Sequence, residues 1–198
     1  INSISGDKVK ELFPIKWIIW LILNFLNNNY YPKNAPSKKY NFIEHFKPKI
    51  NKDDWKEISI KEKISPSRVL CNLFWKKQNY KYIKEELGVI NIMDTGCGDG
   101  SYALKLNKYW QGIDSYLGID YLKNPNWEYL EKKYNFFKFI KTSYLDIKKF
   151  IPKKTNIFIS QSAIEHFRYD LEYFYQIRDF IKSNKNNTIQ IHLFPSPA

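Results

Sequence analysis

Residues 89–93 form a short apolar run, followed by Asp94-Thr95-Gly96-Cys97-Gly98-Asp99-Gly100 and a helical pattern over 101–109. A strand that ends in a glycine-rich turn and feeds a helix is the opening unit of a parallel α/β sheet. The turn is also a binding device, because its glycines let a ligand approach the backbone and the helix start offers unpaired N–H groups. Its spacing is G-x-G-x-G rather than the G-x-G-x-x-G of a dinucleotide site, and an acid, Asp94, precedes the first glycine by two residues. An acid pointing into the turn would repel a pyrophosphate and attract a cation. The next apolar run, 116–120, ends in Asp120. A carboxylate at the tip of the second strand can accept both hydroxyls of a ribose. The two pieces together call for a nucleoside with a positively charged tail.

The same residues, 92–102 with Asp94, Gly96, Gly98 and Gly100 in register, resemble the first motif of the class I S-adenosylmethionine-dependent methyltransferases, D/E-x-G-x-G-x-G between strand and helix. Asp120 is similar to that family's second motif. The pattern continues with a helix over 124–134, a strand over 136–141, a loop holding Asp146, a strand over 156–160, a helix over 170–182 and a strand over 188–194. This alternation predicts a Rossmann-like parallel sheet with helices on both faces and the ligand at the carboxyl ends of its strands. The resemblance implies S-adenosyl-L-methionine as cofactor. Gly96, Cys97, Gly98 and Gly100 would shape the loop against its methionine portion, Asp94 would lie near its ammonium group and Asp120 would hold its ribose. Ser143 aligns best with the position that reads the adenine, with Asp146 three residues on, while Ser160 and Gln161 would border the cofactor and face the acceptor. Glu165 and His166, which follow the fourth strand, are the candidates to take a proton from an acceptor hydroxyl. His45 and His192 have weaker claims, and Cys97 reads as a small packing residue rather than a nucleophile.

The resemblance covers residues 89–198, which define the cofactor-binding core, and leaves 1–88 as a helical and extended N-terminal cap. In that cap, 12–26 is the most apolar segment. It is too short to span a bilayer and lacks the cleavage site of a secretory signal. It is expected either to be a buried helix covering the fold or to lie at a membrane surface, with Trp17 and Trp20 at headgroup depth. Residues 27–63, rich in Asn, Lys and Pro, read as an extended connector. Ser65 and Pro66 open a helix whose residues Val69, Leu70, Leu73 and Phe74 share one face. Residues 64–75 are similar to a stretch found ahead of the cofactor domain in bacterial methyltransferases associated with surface-polysaccharide assembly. That likeness implies a hydroxyl on a sugar or lipid-linked glycan as acceptor.

The net charge of +12 opens a second reading, RNA methylation, with Trp75-Lys76-Lys77 and Tyr80-Lys81-Tyr82 interleaving aromatic and basic side chains. Against it, only Arg68, Arg168 and Arg178 among the 32 basic residues are arginine. The planar fork of arginine is what reads guanine and grips phosphate in two places. Two-thirds of the net charge lies in the first 88 residues, outside the core. The two cysteines, Cys71 and Cys97, form neither a disulfide framework nor a metal motif, so no metal is expected. The compartment expected is the cytoplasm, at the inner membrane face if 12–26 lies on lipid. The family normally continues past the fifth strand with a helix and an antiparallel pair of strands. A chain ending at Ala198 therefore reads as a truncated core, and an inactive cofactor-binding fragment is the third reading.

Overall fold

Five apolar strands, each flanked by turn residues, assemble into one all-parallel sheet in the order β3-β2-β1-β4-β5. The strands are β1 (Asn91–Thr95), β2 (Ser115–Asp120), β3 (Phe137–Lys141), β4 (Ile157–Gln161) and β5 (Ile189–Leu193). The computed structural model describes residues 14–30, 49–59, 66–184 and 186–194. The helices are α1 (Pro14–Tyr30), α2 (Lys52–Ser59), α3 (Pro66–Lys77), α4 (Tyr80–Leu87), α5 (Ser101–Trp110), α6 (Asn126–Lys133) and α7 (Asp170–Asn184). Short 3-10 turns follow β3 (Tyr144–Lys149) and β4 (Ile164–His166).

Alternation along the strands divides the core in two. Ile92, Tyr116, Phe137, Ile157 and Ile159 point to the face that buries Trp75 of α3, Ile83 of α4, Leu106 of α5 and Leu130 of α6. Met93, Leu117, Ile119 and Phe158 point to the other face, against Tyr173 and Ile177 of α7 and Ile147 of the first 3-10 turn. Both faces are thus apolar, which is why these strands read as continuous apolar runs in the sequence. Among the described residues, the second face packs against one helix and the 3-10 turns, the first against four helices.

The chain separates into two compact units, one spanning Phe46–Pro195 and one holding α1. Helices α2 to α4, placed in the N-terminal cap by the sequence reading, fall in the same unit as the sheet. The connector expected over 27–63 is not extended throughout: α1 runs to Tyr30, and α2 occupies Lys52–Ser59. Asn51 Oδ1 accepts from the Asp54 N–H at 2.7 Å and Asp54 Oδ2 accepts from the Asn51 N–H at 3.3 Å, a reciprocal cap that starts α2. The same Asp54 carboxylate accepts from Lys76 Nζ at 2.7 Å and Lys77 Nζ at 2.8 Å, pinning α2 to the end of α3. The two ammonium groups hold its carboxyl well below the usual range.

One sequence expectation is corrected at α3. Leu70, assigned to its apolar stripe, is 51% exposed, whereas Asn72, Leu73 and Trp75 are buried. Trp75 is the anchor, packed edge-on against Trp110 and donating from Nε1 to Gln161 Oε1 at 2.7 Å. Of the aromatic and basic residues read as an RNA track, Lys76 and Lys77 bind Asp54 and Tyr80 stacks on Trp110 with its hydroxyl donating to the Gly112 carbonyl at 3.0 Å, while Lys81 and Tyr82 are exposed. Ser65, His45, Pro36 and Pro48 lie outside the described residues.

Several apolar side chains of α1 are exposed. Ile15, Ile18, Ile19, Ile22 and Leu23 are 50–67% exposed. Among the described residues no helix is long and apolar enough to cross a membrane.

Candidate cofactor and acceptor site

The site forms at the carboxyl ends of β1, β2 and β4, where the glycine turn leaves the sheet. Gly96, Gly98 and Gly100 all have positive φ, which lets the chain reverse tightly between β1 and α5. They are not equivalent. A Cβ on Gly96 would overlap the side chain of Ala163, so the turn packs directly on the residues that follow β4. A Cβ on Gly98 would meet nothing within 4 Å. Gly98 is therefore the glycine that keeps open space above the turn, and Gly96 the one that lets two loops touch. The turn is tied down by the Gly96 and Cys97 N–H groups, which donate to the Ile119 carbonyl at 2.7 and 3.1 Å, and by Trp127 Nε1, which donates to the Gly98 carbonyl at 2.9 Å.

Asp120 ends β2 and bridges the turn to the next loop. Its Oδ2 accepts from the Gly98 N–H at 2.9 Å and its Oδ1 from the Leu122 N–H at 3.1 Å. Each oxygen keeps a further lone pair, and the residue is half-buried, so the carboxylate is oriented yet still able to accept from a diol.

Asp94 lies inside β1, one residue before the strand ends at Thr95, and it is buried. Its Oδ2 accepts from the Tyr116 hydroxyl of β2 at 2.5 Å, while its Oδ1 has no hydrogen-bond partner among the described residues. Burial pushes the Asp94 carboxyl up to about 7, the Tyr116 hydroxyl pulls it down, and the nearby Asp120 charge adds to the rise. A buried, unpartnered carboxylate oxygen costs free energy unless something fills the place of its missing donor. Cys97 is buried with its thiol pushed far up by burial, consistent with packing and not with nucleophilic attack.

Ser160 and Gln161 end β4. The Ser160 hydroxyl lies 3.0 Å from Nδ1 of His192 on β5, its register partner, and burial lowers the His192 imidazole to about 4. Gln161 is held by Trp75 through Oε1 and hydrogen-bonds the Tyr102 hydroxyl of α5. Tyr102 donates in turn to the buried Asn72 Oδ1 at 3.1 Å. Helices α3 and α5 are thus stitched to the tip of β4 by a chain of polar groups. Glu165 and His166 sit in the exposed 3-10 turn after Ala163, so the Gly96–Ala163 contact places them at the rim of the glycine turn.

Ser143 follows β3 two residues beyond Lys141, the register partner of Asp120, and accepts from the Leu145 N–H at 3.2 Å to start a 3-10 turn. Asp146 is not brought to the glycine turn. Its carboxylate binds Lys149 at 2.7 Å and lines a groove with Glu172 and Gln176 of α7. The residues that the sequence reading left out are Tyr116, Trp75, Tyr102, Asn72 and Trp127. Tyr116 could have been found from strand parity: it lies two residues before Gly118, which pairs with Asp94 across the sheet.

The sheet, its strand order and its flanking helices have the Rossmann-like architecture of class I methyltransferases. No protein-family model matches the chain, and no curated protein matches it. Among solved structures, the chain is similar to the Burkholderia thailandensis 1,6-didemethyltoxoflavin-N1-methyltransferase with bound 1,6-didemethyltoxoflavin and S-adenosylhomocysteine, at 14% identity and TM-score 0.42, over 54% of this chain and 47% of that one. It is similar to a SAM-dependent methyltransferase from Aquifex aeolicus at 17% identity and TM-score 0.39, over 66% of each chain. The magnesium protoporphyrin IX methyltransferase of Synechocystis, with bound S-adenosylhomocysteine, gives 15% identity and TM-score 0.39, over 65% of this chain and 61% of that one. The matched region spans about half the length of the first of these structures.

Proposed function

We propose that the chain binds S-adenosyl-L-methionine at the carboxyl edge of β1 and β2 and directs methyl transfer to a hydroxyl of a sugar or lipid-linked glycan. The observation that carries the reading is the pair of carboxylates around one open glycine turn. Asp120 is held by two backbone amides with lone pairs to spare, and Asp94 is buried with one oxygen unpartnered. A ribose diol suits the first and an ammonium group suits the second, so the residues present fit the cofactor. When bound, the cofactor supplies a methyl group on a cationic sulfur, open to in-line attack.

The chain's own contribution is positioning and exclusion of water, which can supply most of the acceleration of such a transfer. Gly98 leaves room over the turn, and the Asn72–Tyr102–Gln161–Trp75 chain fixes the wall on the β4 side. His166, exposed at the rim, takes the proton that the acceptor hydroxyl releases, with Glu165 beside it. Support for the glycan acceptor comes from the likeness of residues 64–75, now seen as α3, which forms that wall.

The test is transfer of label from the methyl-labelled cofactor to three acceptor pools: nucleotide sugars, lipid-linked sugars and total RNA. Label in a sugar pool is the expected result. Label in RNA with none in either sugar pool overturns the acceptor assignment.

A further inference from the structure

Helix α1 belongs to the other compact unit, and its side-chain arrangement is that of a helix lying in an interface. On a helical projection of about 100° per residue, Ile15, Ile18, Ile19, Ile22, Leu23 and Leu26 fall within an arc of about 140°, which Leu21 and Phe25 widen to about 200°. All eight are 39–67% exposed. The opposite arc carries Lys16, Asn24 and Asn27, with Trp17 and Trp20. Its 17 residues extend about 26 Å at 1.5 Å per residue, with polar positions placed inside the run and not only at its ends. A spanning segment needs a longer and unbroken apolar stretch. An apolar face of this size is uncommon on a surface that meets only water.

Charge selects the occupant. Between Glu11 and Glu44 there is no acidic residue, while Lys16, Lys33, Lys38 and Lys39 are present. A protein partner with an apolar groove would not require this one-sided charge, whereas an anionic lipid surface attracts it and accepts the apolar arc at the acyl boundary. We propose that α1 lies in the plane of an anionic membrane surface and anchors the chain there, its Ile and Leu arc in the acyl boundary and Lys16 among the headgroups. The proposal does not depend on the methyl-transfer reading, although an anchored enzyme would meet lipid-linked acceptors at their own surface.

The experiment is co-flotation of the full chain with vesicles of phosphatidylcholine alone and of phosphatidylcholine with about one-third phosphatidylglycerol, at low and high salt. Wild type is expected to float with the anionic vesicles, at least tenfold more than with neutral ones, and to be partly released by salt. The double variant Ile18→Asp, Ile22→Asp is expected to lose at least tenfold in binding, with the thermal unfolding midpoint of the sheet-containing unit unchanged. A second variant, Lys16→Glu, keeps the apolar arc and is expected to weaken binding to anionic vesicles only. Wild type remaining with the protein fraction in both lipid mixtures overturns the proposal. So does equal flotation of the Ile18, Ile22 variant. A wild-type dimer that the double variant dissolves, with no flotation, would assign the face to a second copy of the chain instead.

Discussion

Replacing Tyr116 by Phe removes the one hydrogen bond made to the Asp94 carboxylate, and the consequence is a change in pH dependence rather than a uniform loss. With its carboxyl at about 7, Asp94 is mostly protonated at pH 6 and mostly ionised at pH 8. A ligand whose ammonium group needs the ionised form therefore binds about tenfold more tightly at pH 8 than at pH 6. The Tyr116 hydroxyl stabilises the ionised form, so its loss raises the midpoint. A hydrogen bond to a charged group contributes about 1.5–3 kcal/mol, which is about one to two pH units. In Tyr116→Phe the affinity for S-adenosylhomocysteine at pH 7 should fall about fivefold or more, and it should still be climbing at pH 8, where wild type has levelled off. Calorimetric titration at pH 6, 7 and 8 reads both curves. Asp94→Asn should bind weakly with no slope in this range. The sign for stability is opposite. The native state holds the Asp94 proton up to about pH 7 and the unfolded chain releases it near 3.8, so this group's contribution to stability falls as pH rises between those values. Integrated, the loss is about 4 kcal/mol, and Asp94→Asn should regain part of it at pH 8. A pH-independent affinity in wild type, or the same midpoint in Tyr116→Phe, refutes the assignment of Asp94 to the ammonium group.

The two glycines should separate cleanly. Gly96→Ala combines a positive φ with overlap on Ala163 and should lower stability by about 3 kcal/mol or more, whereas Gly98→Ala, with a positive φ but nothing within 4 Å, should cost only the backbone strain of about 1–2 kcal/mol and lose cofactor affinity. Denaturant unfolding and ligand titration distinguish them. Gln161→Leu leaves the Trp75 N–H without its acceptor and should cost about 1–3 kcal/mol in denaturant unfolding. His166→Ala should lower kcat about a hundredfold with S-adenosylhomocysteine affinity unchanged, as measured on the labelled sugar acceptor. An unaltered kcat would move the proton to Glu165 or to water.

The glycine turn and Asp120 were legible because their signal is local: strand, spacing and helix follow one another along the chain. The partner of Asp94 was not, because the Tyr116 hydroxyl reaches it from the neighbouring strand, and strand register is set by the whole sheet. Helix α2 was hidden because its cap, Asn51 with Asp54, is written in the Asn- and Lys-rich alphabet of a connector. Part of the RNA track has a structural role for a related reason. Trp75-Lys76-Lys77 reads as a stacking and phosphate-binding tripeptide, yet in the fold the indole faces the core and both ammonium groups meet the buried Asp54. Leu70 and Trp75 show the same limit within α3: periodicity finds an amphipathic helix, but which side docks depends on what the sheet presents, here Trp110 and Gln161. Asp146, three residues beyond the Ser143 position, sits in a 3-10 turn that sets it beside α7, a placement that spacing along the chain does not reveal.

The central claim is that a cofactor nucleoside is gripped by Asp120 over the open glycine turn. Isothermal titration of S-adenosylhomocysteine into wild type and Asp120→Ala tests it most directly, with thermal unfolding to verify that both are folded. Saturable binding by wild type, weakened at least tenfold in Asp120→Ala, is the result predicted. No binding by folded wild type, or equal binding by the variant, contradicts it.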